Sequence, residues 1–440
     1  MVQMSFRYNV NDRVPVKEMA TSGLMWTICS AAFVIIFANV VAGLYNATPA
    51  EAIWYAQKLL VITGVAVILQ VIFGHRLPAV YGPSAILLTA AVAATDFAPA
   101  AFSTALVLCG AAGIVIARTG LLTRVAKLFT PRVIGTVLTL IPLTLVPTFA
   151  GLIANPDQPG SMAAKLIFAF VLLILIFALN HHLKGFWRAT LMLWVLVFGT
   201  IAAFVCFPGT AVSFDAGGSV PLTEGLLLTP IAAPGVILSV FICYIALIVN
   251  DIGSIRGVGE VAKVPAAETE GQLRRGITVT GIMNMLSGGA GVLGGVNYSI
   301  SSGMILDTKN ASRYPLLAAG AAMIVCAAVP PVISLIITIP TVITGCLLIF
   351  IMTSQLSAAL GVLIEHEGSG MFSFNNGVVI GFSILIAATF SFLPEAAVAA
   401  IPAVVRPVLA NGFVAGTVAV MLLEHVVFRE KKKERGRNDA

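Results

Sequence analysis

An amide and an acid stand side by side in an apolar run of this chain: IALIVNDIGSIRG carries Asn250 and Asp251, with Ser254 four residues after Asn250. On a helix Asn250 and Ser254 share a face, and Asp251 points about 100° away. An amide both donates and accepts hydrogen bonds, and a carboxylate can take up and release a proton. Recognition of a small polar solute and binding of a coupling ion are the chemistry these types offer. Asp251 is the ion-coupling candidate, and its alternative is an ion pair with Arg256, five residues on. A second polar cluster, NYSISSGMILDTK from Asn297 to Lys309, contributes Tyr298, Ser299 and Ser301 around Ile300. A third, VYGPSAILLTAAVAA from Val80, contributes Ser84 and Ala85. Gly82-Pro83-Ser84 suits a helix start, because Pro fits the first turn and Ser caps it. Asn39, in the first apolar run, can reach the same place or make a bond between helices.

Other chemistries lack their residues. The five His lie near expected loops or helix ends, and neither HExxH nor Gly-x-Ser-x-Gly occurs. No nucleotide-binding loop is present, so neither a membrane-embedded enzyme nor a primary pump is expected, and no cofactor or metal. The six Cys are scattered in apolar runs without ligand spacing and read as small core residues.

The elements that must position these clusters are membrane helices. Of 440 residues, 59% are hydrophobic and 10% charged, against about 25% charged in soluble domains. Apolar runs approach the roughly 20 residues that cross a bilayer, and no alternating barrel pattern appears. The first, from Leu24, is too long for a signal-peptide core and is kept as a mature helix. Fourteen spans are expected: 23–45, 54–74, 78–94, 98–117, 133–153, 163–179, 187–207, 232–253, 277–292, 297–308, 314–338, 341–360, 377–393 and 403–427. With both termini cytoplasmic, every Lys and Arg except Lys58, Lys165 and Arg406 falls on the cytoplasmic side. The basic residues thus obey the positive-inside rule; the net charge of +6 needs no nucleic acid, and REKKKERGR can touch anionic lipid.

Two short, polar-started segments lie 217 residues apart from Tyr81 to Tyr298, about half the chain. Matched interruptions in two halves point to an inverted-repeat transporter whose half-helices meet at mid-membrane. A half-helix start there presents unpaired N–H groups and a partial positive charge to a cavity.

From these segments the chain resembles the nucleobase-ascorbate transporters, the family that includes uracil and xanthine permeases. That family's signature is Gln, Glu or Pro, then Asn, any residue, Gly, four of any kind, Thr, and Arg, Lys or Gly. The frame here runs from Ile300 to Lys309: Gly303, Thr308 and Lys309 fit, and Ile300 and Ser301 do not. The family's Glu-x-x-Gly falls on Asn250 to Gly253, so Gly253 fits and Asn250 stands in for the glutamate. LSGGAG, ARTGLLTRVAKLFTP and RPVLANGFVAGTVAVMLLE are similar to family segments too. The resemblance implies an all-α membrane protein of fourteen segments, a seven-plus-seven inverted repeat with two broken half-helices. Its core domain would take 1–132 and 231–340, its gate domain 133–230 and 341–428, with 429–440 a cytoplasmic tail. It implies a homodimeric permease in the cell membrane that carries a nucleobase such as uracil, xanthine or another purine by alternating access, coupled to H+ or Na+. Ala85 and Ser254 would replace an aromatic and a His of the uracil permeases, and Gly303 would permit close helix approach. The alternative is an anion exchanger of the related sulfate and bicarbonate carrier fold, which the missing glutamate suits.

Overall fold

Long apolar runs, punctuated by Pro and by Ser, Thr or Asn caps, fold as helices because a bilayer forces every backbone polar group to pair within its own segment. The computed structural model describes residues 6–156, 158–208, 224–329, 333, 338–367 and 374–428. The basic tail, the middle of the 208–230 connection and part of the 314–338 span lie outside the described residues.

The first half runs α1 (Val16–Leu44), α2 (Pro49–Ile72), β1 (Tyr81–Pro83), α3 (Ala85–Ala93), α4 (Pro99–Arg118), α5 (Leu121–Leu128), α6 (Pro131–Thr144), α7 (Val146–Ile153) and α8 (Met162–His182). It closes with α9 (Gly185–Ala189), α10 (Leu191–Trp194), a π-helical turn (Val195–Gly199) and α11 (Thr200–Cys206). The second half runs α12 (Pro234–Val261), α13 (Ala266–Gly289), β2 (Gly295–Asn297), α14 (Ser301–Thr308), α15 (Tyr314–Ala327), α16 (Thr341–Glu367), α17 (Phe374–Ser391), α18 (Glu395–Ala400), α19 (Arg406–Leu409) and α20 (Gly412–Leu422). Thr48, Ser84, Thr130, Ser161 and Asn411 cap the helices they precede, each accepting a first-turn N–H.

Among the described residues eight helices are long and apolar enough to cross a membrane. Each of the other six expected spans falls short for a visible reason. Two are the half-helices α3 and α14, preceded by extended backbone. The helix α13 is long but opens on the charged stretch AAETEGQLRR. The remaining three are shorter apolar helices.

The departure from an all-helical chain is a pair of short strands. They run antiparallel, Tyr81 opposite Asn297, Gly82 opposite Val296 and Pro83 opposite Gly295. Ser84 N–H donates to Gly294 O and Tyr298 N–H to Val80 O, both within 2.9 Å, which extends the ladder at each end. Neither segment could leave these groups unpaired in a membrane interior, and each supplies the other's partners.

The helices around this crossing pack in two equivalent sets: α4 lies against α13, and α2 against α15. Both contacts are backbone-close at glycine. A Cβ on Gly64 would stand 2.6 Å from Gly320 O, and one on Gly110 2.7 Å from Gly281 O. Small residues let membrane helices approach where no hydrophobic force drives them together. Gly64 and Gly281 are 217 residues apart, the same offset as Tyr81 and Tyr298. At the bundle's far edge α8 leaves Ile167, Phe170, Val171 and Ile174 exposed, as suits a helix facing lipid.

Candidate substrate cavity

The strand crossing ends where the two half-helices begin, and a cavity of about 180 Å³ lies there. It is lined by Pro83 of β1 with Ser84, Ala85 and Ile86 at the start of α3, and by Val296 of β2 with Tyr298, Ser299 and Ile300 just before α14. Asn250 of α12 and Phe33 and Phe37 of α1 join that lining. The rest of the lining comes from Ile141 of α6, Met192 of α10, and Ile351, Met352, Ser354 and Gln355 of α16. No ionisable carboxylate, Lys, Arg or His lines it among the described residues. First-turn amides of a helix have no partner within it, so the start of α3 offers N–H groups and positive potential to a bound oxygen.

Tyr298 ties the two half-helix starts together. Its hydroxyl donates to Pro83 O at 2.6 Å, and its ring lies 4.6 Å from that of Phe33, centroid to centroid. The aromatic surface facing the cavity is therefore a Phe33–Tyr298 pair held in place, with Phe37 one turn along.

Behind the cavity wall the strand β2 is clamped by buried side chains. Asp251, fully buried, accepts Asn297 N–H at 3.0 Å and Asn297 Nδ2–H at 2.7 Å on one oxygen, and Thr280 Oγ1–H at 2.7 Å on the other. Gln70 donates to Thr280 Oγ1 at 3.0 Å. Leu77 N–H donates to His75 Nδ1 at 2.9 Å, which leaves the proton on Nε2, 3.1 Å from Asn297 Oδ1. That bond fixes which way the Asn297 amide faces and turns its NH2 toward Asp251. Two residues earlier, Asn284 Oδ1 accepts Gly295 N–H at 2.7 Å while its Nδ2 donates to Gly295 O at 3.2 Å. Asp251 thus holds the residue before Tyr298 while its chain neighbour Asn250 lines the cavity.

The sequence candidates divide accordingly. The structure brings Asn250, Ser84, Ala85, Tyr298, Ser299 and Ile300 to one cavity. Ser254 is buried and outside that lining; Ser301 is buried and accepts Val80 N–H at 3.0 Å. Asn39 is half-buried on α1, partnered elsewhere and outside the lining. Asp251 lies one layer back, with Thr280 and Asn297 rather than Arg256 as its partners. Thr308 donates to Met304 O in its own helix. At Gly303 the expectation of close helix approach is corrected: a Cβ there, as at Gly253, would meet no atom within 4 Å. The sequence reading missed Gln355, Ser354, Phe33 and Phe37. Gln355 was detectable as an uncharged amide inside the apolar run TVITGCLLIFIMTSQL.

The permease family whose model is labelled Xan_ur_permease matches residues 17–396. The chain belongs to that family, and it is a multi-pass membrane permease rather than an enzyme. Among its relatives, the nucleobase transporter PlUacP of Paenibacillus larvae is 26% identical over 408 residues, 88% of this chain and 89% of that one. The uric acid permease PucJ of Bacillus subtilis is 24% identical over 433 residues, 95% and 94% of the two chains. The transmembrane domain of a cyanobacterial bicarbonate transporter, BicA, superposes with a TM-score of 0.61 at 14% identity, covering 87% of this chain and 98% of that domain. That likeness is one of fold.

Proposed function

We propose that this permease carries a nucleobase across the cell membrane by alternating access, and that its preferred substrate is an oxidised purine such as urate or xanthine. The observation that carries the reading is the cavity itself, with the amides of Asn250 and Gln355 in its lining, a half-helix start, and the Phe33–Tyr298 aromatic pair. Oxidised purines present alternating carbonyls and N–H groups around a flat ring. Neutral amides can serve both kinds of group, and an aromatic wall accepts the ring face. The names of the relatives, a nucleobase transporter and a uric acid permease, support the same class. The anion-exchanger alternative is supported by fold similarity alone.

The proposal keeps spans 1–4 and 8–11 as a moving core, spans 5–7 and 12–14 as a gate, both termini cytoplasmic, a homodimer, and coupling to H+ or Na+. That both the spans assigned to the core, through Asn250, and those assigned to the gate, through Gln355, contribute to the cavity lining supports this division. Asp251 is the acid nearest to it in the chain. The test is a thermal-shift panel on purified protein with urate, xanthine, uracil, adenine, sulfate and bicarbonate, with and without Na+ and at two pH values. A ligand at a hundred times its Kd should stabilise by about 2.7 kcal/mol. Urate or xanthine should raise Tm in the wild type and leave Asn250→Ala unmoved. A response to sulfate or bicarbonate alone would replace the reading with anion exchange.

A further inference from the structure

A second cavity, also of about 180 Å³, lies at the end of the bundle where α1 gives way to α2, and the central site makes no use of it. Its walls carry four aromatic residues, Tyr45, Trp54, Tyr55 and Phe102, with Lys58, Glu51 and Glu224 set among them. The Lys58 ammonium stands 5.6 Å from the centre of the Trp54 ring. It donates to Glu224 O at 3.1 Å, a carbonyl it shares with Trp54 Nε1 at 3.0 Å. An ammonium has three protons to donate, and Glu224 O is the hydrogen-bond acceptor Lys58 has among the described residues. The Glu51 carboxylate also lines the cavity, with one of its oxygens accepting the N–H and hydroxyl of Thr48, at 2.7 and 2.8 Å. A cation with donors to spare, walled by rings, is thus presented to an open volume.

The floor of this cavity is the backbone that leads into the strand crossing. Leu293 N–H donates to the Tyr55 hydroxyl at 2.9 Å, and the next residue, Gly294, accepts Ser84 N–H at the start of α3. A strap at 224–228 forms the roof. Leu227 N–H donates to Gly289 O at 2.9 Å, and Gly291, at φ +66°, leaves room for the Gly225 carbonyl that any Cβ would strike. One short stretch of chain, 291–298, therefore borders both cavities.

We propose that this pocket is a second binding site for flat heterocycles that carry both carbonyl oxygens and N–H groups, the substrate class assigned to the central cavity; the inference rests on that assignment. Stacking on aromatic faces tolerates different rings, the unspent Lys58 donors suit carbonyl oxygens, and the Glu51 and Glu224 carboxylates can accept ring N–H groups.

Equilibrium binding of radiolabelled urate and xanthine to the purified full-length protein tests it. The expected result is two sites per chain. Lys58→Gln and Trp54→Leu should each weaken one site at least tenfold and leave the other intact, the surviving site certifying the fold. Asn250→Ala should remove the other site and spare the Lys58-dependent one. One site in the wild type, lost in Asn250→Ala and unchanged in Lys58→Gln and Trp54→Leu, overturns the second site while the nucleobase reading stands. Absence of binding of either purine overturns both.

Discussion

Asp251 shows how a single buried carboxylate can shape a site it does not line. Three hydrogens converge on it, two from Asn297 and one from Thr280, and among the described residues no cation is its partner. Removing it strands those donors, at about 1–3 kcal/mol for each buried group left without an acceptor. Asp251→Ala is therefore expected to lower Tm in detergent by many degrees and to weaken substrate binding with it, because β2 loses its anchor. Asp251→Asn keeps an oxygen for Asn297 and should be much milder. Equal Tm values for both variants and the wild type would show that the clamp does not hold the strand. Gln355 predicts the opposite pairing of effects. It lines the cavity without belonging to the clamp, so Gln355→Leu should weaken binding about tenfold, the worth of about 1.4 kcal/mol, while leaving Tm of the unliganded protein within a degree or two. At this scale the sequence exposed polar residues inside apolar runs and so located Asn250, Ser84, Tyr298 and Ser299. It could not separate a residue that faces the cavity from one that faces a neighbouring helix. Ser301 caps no cavity because Val80 N–H claims its hydroxyl, and that claim comes from a residue 221 positions away.

Among elements, the half-helices were legible because each starts with polar and Gly or Pro residues inside an apolar run, at a constant offset of half the chain. Their pairing as strands was not, since three-residue strands leave no periodicity and their ladder joins residues more than 200 apart. Nor was it visible which glycines permit close approach. Gly303 sits in a family motif, yet a Cβ there meets nothing within 4 Å, while Gly64 and Gly320 sit in no motif and touch backbone to backbone. The two classes should behave oppositely. Gly303→Ala is expected to leave expression, Tm and urate binding near wild type. Gly320→Leu must push α15 off α2, and its detergent-solubilised protein should elute as aggregate on size exclusion. Monodisperse Gly320→Leu with unchanged Tm would mean that the crossing relaxes without cost.

For the whole molecule, the question is what joins the two proposed bodies on the side away from the Lys- and Arg-rich loops. Among the described residues two polar contacts do so: Arg406 donates to Asp96 at 2.8 Å, and Asn411 Nδ2 to Ser239 Oγ at 3.2 Å. Arg406 is also one of the three basic residues that escape the positive-inside segregation, so an ion pair gives a reason for its place. The guanidinium is held by the carbonyls of Ala399 and Ile401 as well, which aims it at Asp96 rather than at solvent. With side chains 21% and 52% exposed, the pair contributes at most about 1 kcal/mol. That suits a latch that opens in the proposed alternating-access cycle. A change of 1 kcal/mol shifts a two-state population about fivefold. In a Ser354→Cys background with the exposed Cys206 replaced by Ser, which places the reporting thiol in the cavity wall, Asp96→Asn should therefore raise the rate of labelling by an impermeant maleimide added outside by up to about fivefold. Arg406→Gln should match it, and the double variant should add nothing to either single change. Additive effects of the two substitutions would show that each residue acts alone, and unchanged labelling in both would remove the ion pair from the opening step.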